Sequence, residues 1–177
     1  MIPTHHRRSI RLKEYDYAQV GAYFVTICAR DRECLLGDVI DGEMRLNEYG
    51  QIVMECWDEI PRHFPNVELD EFVVMPNHVH GILVITVGAR HASPLQLSRG
   101  PQRGSLGAVV GSFKSAATKR VNERRDTPGL TIWQRNYYEH VIRNEDEMNR
   151  IREYVAQNPA QWAKDENNPL GQKYGSP

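Results

Sequence analysis

Cysteine is scarce in this chain: Cys28, Cys34 and Cys56 are the three present in 177 residues. An odd count without a Cys-x-x-Cys pair argues against a disulfide framework and a cysteine zinc site, and leaves reduced thiols in a cytosolic protein as the expectation. Long apolar runs are also lacking, so no membrane span is predicted. The opening Met1–Arg8 segment is polar and basic with no apolar stretch behind it, unlike a secretory signal. Net charge is nearly absent, at −1 from 22 basic and 23 acidic residues, so the total does not announce a nucleic-acid partner. No Gly-x-x-x-x-Gly-Lys-Ser/Thr loop is present, which speaks against nucleotide-driven chemistry.

What is present has the make-up of an ordinary folded domain, 40% hydrophobic and 25% charged, and residues 1–177 read as one domain. The charge is unevenly distributed. Residues 1–13 carry Arg7, Arg8, Arg11 and Lys13 and no acid, and residues 99–125 carry Arg99, Arg103, Lys114, Lys119, Arg120, Arg124 and Arg125 against Glu123. Such stripes suit phosphate binding, although charged residues also simply solvate surface helices.

Periodicity gives the elements. Ala22–Cys28 is β-branched and aromatic and reads as a strand. A hairpin is predicted around Asp41-Gly42, then a helix capped by Asn47 with Ile52, Val53, Cys56, Trp57 and Ile60 on its apolar side. Two strands follow, about 67–75 and 78–87, joined so tightly that they must pair antiparallel. Residues 88–105, rich in Gly, Ser, Pro and Arg, read as a mobile loop. Ser105 opens a helix to about Glu123, Thr131–Trp133 and Tyr137–Ile142 read as strand pieces, and Asn144 or Glu145 opens a last main helix that Pro159 stops. Residues 167–177 read as a loose tail. This order predicts an α+β fold, with helices packed on one face of an antiparallel sheet and the other face left for a substrate.

Chemistry centres on Pro76-Asn77-His78-Val79-His80-Gly81. In a strand, residues i and i+2 share a face, so His78 and His80 project side by side, with Ile82 and Val84. Two neutral imidazoles so placed can hold a divalent metal ion, given a third ligand from elsewhere; the plain alternative is a pair of half-buried histidines bonded to backbone or water. On the last helix Tyr154 and Asn158 are four residues apart and share a face. A phenol beside a metal-bound phosphate is a nucleophile; the plain alternatives are a packed tyrosine and a helix cap. Tyr137, Tyr138 and His140 form a rival cluster on a strand-like segment.

Three stretches in order, Pro76–Gly81, Trp133–Arg143 and Tyr154–Pro159, resemble the REP-associated tyrosine transposases, single-tyrosine HUH transposases of the insertion-sequence type. Arg7-Arg8-Ser9-Ile10-Arg11, Tyr15-Asp16-Tyr17 and Gly21–Thr26 add to the likeness, which spans roughly residues 7–165. The resemblance implies a ferredoxin-like palm in which His78 and His80 hold Mg²⁺ or Mn²⁺, Tyr154 attacks the scissile phosphate of single-stranded DNA to form a 5′-phosphotyrosine link, and Asn158 completes the metal site, with Gln157 as the neighbouring alternative. It also implies a DNA hairpin as partner, a monomer or homodimer, and a cytoplasmic protein that is nucleoid-associated when bound to DNA. Arg7, Arg8, Arg11, Arg99, Arg103, Lys114, Lys119 and Arg120 are the candidates for DNA contact. From the residues alone, a non-catalytic binder of structured single-stranded nucleic acid and a water-using metal phosphodiesterase stay open.

Overall fold

The protein was analysed as a computed structural model, which describes residues 20–87 and 104–169. Residues 88–103 of the expected loop (88–105), residues 170–177 of the expected tail (167–177) and the candidate DNA contacts Arg7, Arg8, Arg11, Arg99 and Arg103 lie outside the described residues.

Strand β1 (Gly21–Cys28) is followed by a hairpin, β2 (Gly37–Ile40) and β3 (Glu43–Leu46). Its turn residues Asp41 and Gly42 both have positive φ, 53° and 78°, the backbone that matches the twist of a tight hairpin. Helix α1 (Glu48–Asp58) starts where Asn47 accepts hydrogen bonds from the backbone N–H groups of Tyr49 and Gly50. A short helix α2 (Ile60–His63) leads into β4 (Val67–Met75), and the Pro76-Asn77 link turns the chain back into β5 (His78–Ile85). Helix α3 (Leu106–Arg125) is capped by Ser105 and ends at Asp126, whose φ of 54° breaks the helix. Strand β6 (Tyr138–Ile142) precedes helix α4 (Glu145–Gln157), capped by Asn144; a 3-10 turn, Pro159–Lys164, follows at once.

Four strands form one antiparallel sheet in the order β4-β5-β1-β6. The fold is therefore α+β, as the sequence predicts. Its two faces are set by the alternation along β1 and β5. Tyr23, Val25, Ile27, Val79, Leu83 and Ile85 bury with Trp57 of α1 and with Leu106, Val109, Val110, Phe113, Ala117 and Val121 of α3. Phe24, Ile82 and Ile142 bury on the other face with Val155 of α4, and Met148 and Ile151 pack beside them. This second face is thus not left bare: α4 lies over part of it, because its apolar stripe needs cover as much as those of α1 and α3 do. Asn167 and Asn168, which fall in the expected loose tail, are buried.

Gly81, between the histidine pair and Ile82, sits where two layers approach closely. The Trp57 and Phe72 rings stack at 4.3 Å and 9°, and a Cβ on Gly81 would press into Trp57 Cζ2 and lie 2.7 Å from its Cη2. Gly81→Ala is therefore expected to destabilise the protein by roughly 1–3 kcal/mol through overpacking, read as a lower urea midpoint at unchanged m-value.

Candidate metal and nucleophile site

Strand β5 is interior to the sheet, so both its histidines sink into the fold: His78 is fully buried and His80 nearly so. His78 lies opposite Cys28 and Met75, and His80 opposite Thr26 and Val73. The two Nε2 atoms stand 3.0 Å apart. Each ring is held from behind at Nδ1. Asn77 donates through Nδ2 to the carbonyls of Arg32 (3.0 Å) and Asn167 (2.8 Å), which leaves its Oδ1 facing His78 Nδ1 at 2.9 Å. A carbonyl-type oxygen can only accept, so His78 Nδ1 carries the hydrogen and Nε2 presents a lone pair. Thr26 Oγ1 lies 2.8 Å from His80 Nδ1. A hydroxyl rotates to donate or accept, so Thr26 allows His80 either to donate from Nε2 to His78 or to turn a second lone pair into the same space.

Tyr154 and Asn158 reach this pair from α4. The Tyr154 hydroxyl is 3.5 Å from His80 Nε2, and its ring packs edge-on to His80 (5.3 Å) and to Phe24 (6.0 Å). Tyr154 remains 47% exposed, so its hydroxyl is open to a ligand. Asn158 is buried, and its Oδ1 has no hydrogen-bond partner among the described residues. Its side chain lies close enough to both rings to favour their charged forms, the imidazolium of His78 and the phenolate of Tyr154. Gln157 instead points outward, bonding Glu153 and Gln161, so of the two alternatives for a third ligand the fold brings Asn158 to the histidines.

The placement of α4 has two causes. One is the apolar stripe described above. The other is a fork: Arg152 Nε and Nη2 each lie 2.8 Å from one carboxylate oxygen of Asp70. Asp70 sits in a β-bulge, where Asp70 and Glu71 of β4 oppose one residue of β5, and a bulge of this kind re-aims a side chain off the regular alternation. The Arg152 guanidinium holds the Asp70 carboxyl below its ordinary range.

The chain is 46% identical over 169 residues to an uncharacterized protein of Haemophilus influenzae, an alignment covering 92% of this chain and 93% of that one. The chain belongs to the family of that protein. Among solved structures, it resembles a REP-associated tyrosine transposase bound to a REP hairpin, with a TM-score of 0.57 at 23% identity, over 85% of this chain and 74% of that one. The chain thus has the fold of that transposase, which is the fold implied by the motifs at Pro76–Gly81, Trp133–Arg143 and Tyr154–Pro159. No protein-family profile matches the chain.

The donor set in this member of the family fits a divalent cation. The two Nε2 atoms, 3.0 Å apart, are close enough to be ligands of one cation. The unpartnered Asn158 Oδ1 supplies a buried oxygen donor beside them.

No sequence pattern singles out Asp165, whose Oδ2 lies 3.8 Å from His78 Nε2. With His78 and His80 it forms a three-residue group whose ligand atoms lie within 4.8 Å of one another. It falls in a polar stretch with no periodicity, and only the fold brings it back to the site. Of the rival cluster, Tyr138 is exposed on the same sheet face, edge-on to Phe24 at 6.3 Å, while His140 pairs with Glu147 at 2.8 Å. The described basic candidates sit elsewhere. Lys114, Lys119 and Arg120 belong to α3, which packs on the opposite face of the sheet. Lys114 Nζ donates to the carbonyls of Gln134 (2.6 Å) and Arg135 (3.0 Å), and Arg120 pairs with Glu59. Lys119 lines a cleft of about 830 Å³ between α3 and residues 126–135.

Burial pushes His78 down to about 4 and His80 to about 3, from an ordinary value near 6.5. Their stabilising effect is therefore complete above pH 6.5, where the unfolded chain is also unprotonated. It is lost as pH falls toward 4, because only the unfolded chain then takes up the protons. Between pH 7 and pH 5 the metal-free protein should lose roughly 2 kcal/mol per histidine. Urea unfolding at the two pH values checks this, and a His78→Gln/His80→Gln double variant should show a much shallower decline.

Proposed function

We propose that this chain is a metal-dependent single-stranded DNA endonuclease and transposase, in which Tyr154 is the nucleophile and His78, His80 and Asn158 hold Mg²⁺ or Mn²⁺. The observation that carries this reading is the Tyr154 hydroxyl, 3.5 Å from an imidazole nitrogen that itself faces a second imidazole at 3.0 Å, all in one subunit. The fold shared with a transposase that binds a REP hairpin supports a hairpin-bearing DNA as partner.

When bound, the divalent ion supplies Lewis-acid polarisation of a phosphoryl oxygen. The rest is the work of side chains. Asn77 and Thr26 fix the two imidazoles so that their Nε2 lone pairs can face inward. The Tyr154 oxygen forms a bond to phosphorus as the bond from phosphorus to the 3′ oxygen breaks, leaving a 5′-phosphotyrosine and a free 3′-hydroxyl. The phenolic proton passes to solvent at the exposed side of Tyr154, and the departing 3′ oxygen takes one up. Burial and the nearby Asp165 charge raise the Tyr154 pKa, with the Asn158 hydrogen bond opposing them, so the phenol is neutral at pH 7 and its proton must leave during attack. The covalent link conserves the phosphodiester energy, so strands can be rejoined without a nucleotide cofactor. Contact with the DNA backbone falls to Lys119, whose exposed pairing with Glu123 is long at 3.9 Å, and to Arg7, Arg8, Arg11, Arg99 and Arg103, because Lys114 and Arg120 are more tightly engaged within the fold.

Wild-type protein with Mn²⁺ and a hairpin-bearing oligonucleotide should yield a covalent adduct on a denaturing gel. Tyr154→Phe should reduce the adduct by at least about a thousandfold while DNA binding persists. Cleavage by Tyr154→Phe without an adduct would instead identify a water-using phosphodiesterase, and DNA binding by the wild type with no cleavage would identify a binder.

A further inference from the structure

We propose that Asp165 is an additional ligand of the metal held by His78 and His80, delivered by a strap, residues 165–168, that is pinned across the site. The proposal rests on the reading of this site as a divalent-metal centre.

Three observations converge on Asp165. Its side chain is 7% exposed, and among the described residues its one ion-pair contact is His78, at 3.8 Å from Oδ2. A carboxylate removed from water with no lysine or arginine against it calls for another source of positive charge. Its two oxygens have different surroundings: Oδ1 accepts from the Asn167 backbone N–H at 2.7 Å, while Oδ2 faces the histidines. The buried Asn158 Oδ1, on a side chain near His78, also lacks a partner, so it adds a second oxygen donor close to the group formed by His78, His80 and Asp165. Oxygen donors added to imidazoles move such a site toward Mg²⁺ and Mn²⁺.

The strap is held by the same residue that orients His78. Asn77 Nδ2 donates to Asn167 O at 2.8 Å, and Arg32 Nη1 donates to Glu166 O at 2.8 Å. Asn168 Nδ2 donates to Trp162 O at 3.0 Å. Arg32 reaches the strap from a turn in which Asp31 and Arg32 have φ of 54° and 56°, adjacent residues in a region that L side chains seldom occupy. That strain is offset by contacts at each end: the Arg32 carbonyl receives Asn77 and its guanidinium holds the strap.

Mn²⁺ binding to the full chain, measured by electron paramagnetic resonance of the free aqua ion, tests this without reference to cleavage. Asp165→Asn, whose amide oxygen can still accept from Asn167 N–H, is expected to weaken Mn²⁺ affinity at least tenfold with an unchanged circular dichroism spectrum. Arg32→Ala gives a second variant that leaves Asp165 in place. Removing a cation near the site would by itself tighten Mn²⁺ binding, whereas releasing the strap should weaken it severalfold. Wild-type affinity in Asp165→Asn, with binding lost in His80→Ala, would overturn the Asp165 assignment and leave the metal site standing. Tighter binding in Arg32→Ala would overturn the strap. Absence of Mn²⁺ binding in the wild type, or affinity indifferent to both His80→Ala and Asp165→Asn, would overturn the metal centre together with this inference.

Discussion

Two imidazoles face each other on an interior strand because the pleat has a period of two, and the rest of the site is built around that constraint. One residue of slippage in β5 would turn both rings into the Trp57 core and bring Val79 and Gly81 out in their place. The register is secured on both sides, by β1 and by β4, and the Trp57–Phe72 stack lies against Gly81 from behind. With the strand fixed, ring rotation is the remaining freedom, and Asn77 and Thr26 remove it.

The helix that carries Tyr154 is fixed with comparable economy. Its apolar stripe sets its height over the sheet, but a stripe against a sheet can slide. The Arg152–Asp70 fork stops that sliding two residues before Tyr154, and it depends on a bulge in the edge strand β4. An irregularity on one strand thus bears on the placement of a hydroxyl on a helix far along the chain.

Much of this was legible in the sequence where local rules apply. The four sheet strands, the Asp41-Gly42 hairpin and the Asn47, Ser105 and Asn144 caps follow from alternation and capping and match the observed elements, whereas the strand piece expected at Thr131–Trp133 is a single bridge from Trp133 to Ala29. The convergence of His78, His80, Tyr154 and Asn158 followed from motif resemblance, because spacing places residues on a face of their own element and cannot say which faces meet. The bulge at Asp70 has no pattern, since one extra residue leaves the apolar run intact. Nor does residue type reveal that Lys114 is occupied by backbone carbonyls, which is decided by where residues 134 and 135 happen to pass. Asp165 was invisible for the same reason: its meaning comes from the Asn77 amide.

That amide reads two carbonyls at once, one 45 residues before it and one 90 residues after. Loop closures of such length are late events in folding, because their entropy is recovered only when the partners are already in place. The orientation of His78 is therefore among the last properties the chain acquires. With the residues after Ile142 still on the ribosome, all four strands would be present, but the His78 ring would be unaligned and no phenol would lie beside it. The alignment of His78 and the arrival of Tyr154 thus both wait for the segment that follows β6.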